Sequence, residues 1–217
     1  MDTNATLPHL DPVEIRVLGS LIEKSKTTPD YYPMTLNALT AACNQKTSRK
    51  PVVEYDEETV VIALDRLKKL SLIATATGGT SRSVKYRHNF TMVFQVSSAE
   101  LAVLCLLFLR GPQTPGELNT NSARLFEFES IDEVISILQK LGLTDLPFVT
   151  ELPRRPGQKE TRFAHLFSGT PEQEEEELPQ EPARRSVNEL EARLSIVEQE
   201  LAELKNTLSD LIKELKG

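Results

Sequence analysis

The sequence predicts a mainly α-helical fold with small β wings (α+β): two tandem winged helix-turn-helix domains followed by a C-terminal coiled-coil helix. Three observations lead there. Helix signatures of the first half recur in order in the second half, each half closes on a period-two strand pattern, and residues 186–217 carry an unbroken heptad seam.

The first helix of each half is the clearest match. Residues 11–25 read DPVEIRVLGSLIEKS and residues 97–111 read SSAELAVLCLLFLRG. At an offset of 86, Glu14 pairs with Glu100, Ile15 with Leu101, Val17 with Val103, Leu18 with Leu104, Leu21 with Leu107, Ile22 with Phe108 and Lys24 with Arg110. The apolar positions fall at helical spacing. Asp11 with Glu14, and Ser97 with Glu100, have the spacing of a capping box, and Pro12 stands at N1, where no backbone donor is needed.

A shorter helix follows in each half. The first lies around Leu36–Cys43, and the second starts at Thr114-Pro115-Gly116-Glu117, again an N-cap, a proline and an N3 glutamate. The third helices align at an offset of 74: Val60 with Val134, Val61 with Ile135, Ala63 with Ile137, Leu64 with Leu138 and Leu67 with Leu141. Asp56 and Ser130 are their N-caps, with Glu133 at N3 of the latter.

The closing strands align at an offset of 77, VKYRHNF (84–90) with TRFAHLF (161–167). Tyr86, His88 and Phe90, like Phe163, His165 and Phe167, alternate with other residues, the pattern of a strand with one buried face. Partner strands are expected at Leu72–Thr77 and Phe148–Leu152, with hairpin turns at 78–82 and 154–159. Three helices and a two-stranded wing define the winged helix-turn-helix. The expected domains are residues 1–95 and 96–169.

Residues 170–185, TPEQEEEELPQEPARR, hold three prolines and six glutamates and read as a solvated acidic linker. From 186 to 217, Val187, Leu190, Leu194, Val197, Leu201, Leu204, Leu208, Leu211 and Leu215 alternate spacings of three and four. That seam predicts a coiled coil and, through it, a homodimer, the other option being that the helix folds back on the body.

Charge follows this division. The 217 residues carry 25 Lys+Arg and 32 Asp+Glu, net −7. Residues 1–169 hold 19 of each, so the excess lies in residues 170–217, with 6 basic against 13 acidic. The longest apolar run, Leu101–Leu109, is too short to span a bilayer, and MDTNATLPHLDP has neither the basic segment nor the apolar core of a signal peptide. Cys43 and Cys105 stand far apart within helical apolar patterns, which points to a reducing cytoplasm and core packing.

No phosphate loop, dinucleotide fingerprint or nucleophile elbow is present, and the three histidines and two cysteines form no metal-ligand cluster. The expectation is a non-enzymatic protein with no cofactor and no metal. His88 and His165 are read as half-buried strand residues. The remaining chemistry is in basic clusters: Lys46, Arg49 and Lys50 before the third helix; Arg66, Lys68 and Lys69 at its end; Arg82, Lys85 and Arg87 on the first wing; Arg154, Arg155, Lys159 and Arg162 on the second. Loops and wings are where winged helices touch phosphates, so Lys46, Arg49, Lys50, Arg82, Lys85, Arg154, Arg155 and Lys159 are the candidate contacts to double-stranded DNA. Against this, the third helices open on Asp56-Glu57-Glu58 and Asp132-Glu133, which would repel phosphate where base edges are read. Two readings stay open: a dimeric DNA-associated transcriptional regulator, or an adaptor that docks a protein partner on its tandem winged helices and binds no DNA. Neither involves a membrane.

Thr27-Thr28-Pro29 with Tyr32-Pro33, AACNQKTSRKPV (41–52), LRGPQTPGEL (109–118), RLFEFES (124–130) and PGQKETRFAHLFSG (156–169) resemble the YceH-like family of uncharacterised bacterial proteins. The resemblance runs over most of residues 10–169. It implies a tandem winged-helix fold and carries no catalytic or ligand residues with it.

Overall fold

Asp11 starts the first helix as the sequence expects. In a computed structural model of the chain, its carboxylate accepts the N–H groups of Val13 and Glu14 while its own N–H donates to Glu14 Oε2 at 2.8 Å, and α1 runs Pro12–Thr27. The structure describes residues 6–76, 83–154 and 160–170. These fall within one compact unit, Met1–Pro171. The heptad seam from Val187 to Leu215 and nearly all of the acidic linker lie outside the described residues, as do Arg82, Arg155 and Lys159.

The first half continues with β1 (Met34–Thr35), α2 (Leu36–Cys43), α3 (Glu57–Lys69), β2 (Ile73–Ala76) and β3 (Lys85–His88). The three strands form an antiparallel sheet in the order β1-β3-β2, with Met34 opposite Tyr86 and Ile73 opposite His88. A short helix, α4 (Phe90–Phe94), leads to the second half: α5 (Ser98–Arg110), α6 (Pro115–Ser122), α7 (Ile131–Gly142), β4 (Val149–Leu152) and β5 (Arg162–His165). Strands β4 and β5 pair antiparallel, with Val149 opposite His165. The chain is thus a mixed α+β fold with small antiparallel sheets.

The repeat extends to individual contacts. Ser97 and Thr114 make reciprocal capping boxes with Glu100 and Glu117. Helix α3 buries Val60, Leu64 and Leu67, and α7 buries Val134, Leu138 and Leu141, the positions related by the offset of 74. The buried carboxylate of Glu14 meets Arg66 at 3.0 Å, and that of Glu100 meets Lys140 at 2.7 Å, so one inter-helix ion pair occurs at equivalent positions of both halves. The N–H of Leu72 donates to Leu67, and that of Phe148 to Leu141.

Three expectations are corrected. Phe90 does not end a strand; it opens α4, because β3 stops at His88 and the Asn89 carbonyl accepts from Met92 and Val93 to start a helical turn. Phe167 lies beyond β5, in an isolated bridge to Gly169. The second half of the cap at Ser130 is also different: its hydroxyl accepts from the Glu133 N–H, but Glu133 Oε2 accepts from Glu129. In addition β1 had no signal in the sequence, being only two residues long; its counterpart in the second half is a single bridge between Gln113 and Phe163.

Both halves share one apolar core. Helices α1 and α5 cross at Gly19, where a Cβ would stand 2.9 Å from Leu109 Cδ2 and 3.1 Å from Phe108 Cβ. Only a residue without a side chain permits that approach. The thiol of Cys105, which the offset of 86 makes the equivalent of Gly19, donates to the Gly19 carbonyl at 3.5 Å. A second weld is aromatic. Phe167, fully buried, has the rings of Phe90, Phe94, Phe108 and Phe148 within 5.9 Å of its own, and two of these come from α4.

Candidate functional site

The loop between α2 and α3 carries Lys46 and Lys50 to the surface, and two buried arginines hold it from beneath. Arg16, on the inner face of α1, donates to the Cys43 carbonyl at 3.2 Å and the Pro51 carbonyl at 2.6 Å. Arg49 uses all five of its N–H donors: two on the Ala42 carbonyl, one on the Ser48 carbonyl and two on the carboxylate of Glu23, at 3.0 and 2.6 Å. Asn44 and Tyr55 close the loop with a reciprocal pair of hydrogen bonds, at 2.7 and 2.8 Å. The Lys50 N–H donates to the Leu109 carbonyl of α5, which fixes the loop against the second half.

This geometry revises the candidate set. Arg49 is not a surface cation: its side chain is fully buried and its donors are spent, so it has nothing to offer a phosphate. Arg66 is likewise engaged by Asp11 and Glu14. Lys46, Lys50, Arg87 and Arg154 are exposed, and Lys85 is half-buried on β3 between Thr35 and Ala76. Lys46 and Lys50 share a loop, Lys85 and Arg87 belong to the first sheet and Arg154 follows β4.

The structure brings together a different set. A cleft of about 430 Å³ opens between the halves, bounded by the last turns of α1, residues 45–48, the end of α5 and the segment after α6. Its walls carry Lys24, Lys46, Arg110 and Arg124, and their one carboxylate, Glu23, is held by Arg49. Burial pushes the Glu23 carboxyl up, but hydrogen bonds from Arg49 and the charges of Arg49 and Lys24 bring it below the ordinary range, so it stays ionised and paired. Lys24 donates to Gln45 Oε1 at 3.3 Å, and Arg110 to Ser48 Oγ at 3.0 Å. Lys46 and Arg124 are exposed and have no partner among the described residues. Ser48 has a positive φ of 60°, an unfavourable conformation for a non-glycine residue that the Arg49 and Arg110 contacts on either side of it hold in place.

The cleft is built from equivalent parts of the repeat. Lys24 and Arg110 are related by the offset of 86. The N-caps of α2 and α6, Thr35 and Thr114, are 79 apart, and the same step carries Gln45 to Arg124. Lys24, Arg110 and Arg124 carry little signal in the sequence because they lie at or just past helix ends, away from the loops and wings where phosphate contacts are expected. The one signal for them was the pairing of Lys24 with Arg110 in the aligned first helices.

The two strand histidines are structural in their surroundings. His88 Nε2 lies 3.2 Å from Ser25 Oγ, and the His165 ring packs edge-on to Phe108 at 5.0 Å. Burial pushes both down to about 4, helped at His88 by the charges of Lys26 and Arg87. Between the ordinary value of 6.5 and about 4 the unfolded chain binds protons that the folded chain does not, so stability present above 6.5 is lost as pH falls through that window. Urea unfolding at pH 7, 6 and 5 should show this decline, and His165→Gln should make it shallower; an unchanged slope would rule His165 out as a source. The Cys43 thiol is pushed up to about 11 and the Cys105 thiol up as well, both chiefly by burial, which makes them packing residues at neutral pH. Among the described residues no group of three or more His, Cys, Asp or Glu is placed to hold a metal, and no helix is long and apolar enough to cross a membrane.

Fold and site together define an α+β protein of two repeated halves with a cationic cleft between them. The chain belongs to the family described as "Protein of unknown function, DUF480", whose model matches residues 10–158. It is 47% identical over 211 residues to a UPF0502 protein of Shewanella sp. (strain ANA-3), covering 93% of this chain and 97% of the relative. A UPF0502 protein of Aliivibrio salmonicida is 44% identical over 205 residues, covering 91% and 93%. One from Opitutus terrae is 50% identical over 165 residues, covering 76% and 72%. The YceH-like resemblance agrees with this membership.

Proposed function

We propose that the chain is a non-enzymatic, DNA-associated protein of two tandem winged helices, a transcriptional regulator dimerised through the heptad seam of residues 186–217. The observation that carries this reading is the α2–α3 loop: Lys46 and Lys50 stand exposed on a segment that Arg16 and Arg49 hold rigid from below. Pre-positioned cations lose little entropy on meeting a phosphate backbone. Lys85, Arg87 and Arg154 extend the same kind of contact along the sheets. The N-terminus of α3 is not part of it, since Glu57 and Glu58 are exposed there. Dimerisation would place two such chains on one duplex and multiply weak contacts.

The double variant K46A/K50A should bind duplex DNA more weakly in fluorescence anisotropy. Its dependence of log K on log salt should be shallower by about 0.9 for each phosphate contact removed. Unchanged affinity and slope would overturn the assignment of these lysines.

A second reading, a protein-docking adaptor without DNA binding, is favoured by the exposed surfaces of α3 and α7. There Ile62 and Ile131 are 58% and 46% exposed beside Glu58, Asp65 and Asp132. A partner that co-purifies with the full chain and survives nuclease treatment, in a protein that retains no DNA, would select this reading.

A further inference from the structure

We infer that the cleft between the two halves is a binding site for a small phosphorylated ligand of nucleotide size. This does not rest on DNA binding. Four cations line a concave space of about 430 Å³, within the range of small-molecule sites, and the one carboxylate among its described lining residues is already neutralised by Arg49. Among the described residues, two of the four, Lys46 and Arg124, have no hydrogen-bond or ion-pair partner, and a third, Arg110, has a buried Nε without an acceptor while its terminal nitrogen reaches Ser48. Cations gathered around one recess repel, and an anion bound among them removes that repulsion. Guanidinium groups suit the oxygens of a phosphate, which they grip through paired N–H donors.

The arrangement also selects the size and shape of the ligand. Lys24 and Lys46 come from the first half and Arg110 and Arg124 from the second, so each half contributes two cations to the lining. That suits two linked anionic groups better than one. Leu106, Leu109 and Leu125 complete the lining and offer an apolar surface to an uncharged body attached to them. A nucleoside diphosphate meets both requirements. Duplex DNA does not enter a recess of this volume, although a single backbone phosphate could approach its rim.

The test is calorimetric titration of the full-length protein with ADP in the absence of DNA. ADP should bind, and Arg124→Gln should weaken it about tenfold or more, the loss expected for a charge-assisted contact. Arg124 makes no hydrogen bond or ion pair among the described residues, so this variant should fold normally, which unfolding without ligand checks. Lys50→Ala, a loop cation outside the lining, should leave ADP affinity unchanged. Because ligand binds the folded state, ADP should also raise the thermal midpoint of the wild type and do so far less in Arg124→Gln. No binding at millimolar ADP, or equal affinity in wild type and Arg124→Gln, would overturn the assignment. So would weakening by Lys50→Ala as large as that by Arg124→Gln, which would mark diffuse attraction to a basic surface.

Discussion

Replacing Arg49 by alanine is expected to cost about 3–5 kcal/mol of folding stability, the range for removing one member of a buried ion pair. The side chain is fully buried, and Glu23, which it grips with two nitrogens, is 13% exposed. Its loss would leave a desolvated carboxylate with only Lys24, at 3.4 Å, and would strip the donors from the Ala42 carbonyl. Urea unfolding at neutral pH measures the effect directly. The pH dependence supplies a second, more specific signature. In the wild type Glu23 sits below its ordinary value of 4.5 despite burial, so its contribution is present above that value and is lost as pH falls through the folded-state value. Without Arg49, burial becomes the dominant influence and raises the carboxyl, so the variant loses stability as pH rises above the ordinary value of 4.5. The gap between the two proteins should therefore narrow in acid. A gap that is constant with pH would show that the Glu23 pair is not what Arg49 contributes.

Phe167→Ala should be comparably damaging, about 3–5 kcal/mol, since it removes a fully buried ring from the middle of the aromatic cluster. The neighbours come from α4, α5 and the residue before β4, so no single element can move to refill the space. Phe167→Leu retains most of the volume and should cost distinctly less. Guanidinium midpoints for the two variants rank them; equal midpoints for the wild type and Phe167→Ala would show the cluster to be replaceable.

Much of the architecture was legible because helix starts and apolar periods are local signals. Asp11, Ser97 and Thr114 announce their helices through residues three positions away, and the positions buried on α3 and α7 can be read from the offset alone. The two-residue β1 has no period to detect. The start of α4 at Phe90 is hidden in the sequence because Phe90 continues the alternation of Tyr86 and His88, although the backbone has already turned into the helix. The site was less visible for a different reason. Arginine is expected at the surface, and nothing within the run Thr47–Lys50 says that Arg49 turns inward; its partner Glu23 is 26 residues away. The cleft depends on Lys24, Lys46, Arg110 and Arg124 meeting in space, and only the repeat connects any of them in sequence.

The missing side chain at Gly19 has a mechanical consequence. With α1 and α5 backbone-close at that point, and with the Lys50 N–H tied to the Leu109 carbonyl, the two halves are set against each other at one place along both helices. Lys24 lies five residues beyond Gly19 on α1, and Arg110 lies five residues beyond Cys105 on α5. A side chain at position 19 would push α5 outward, and the spacing of the cleft's two walls would change with it.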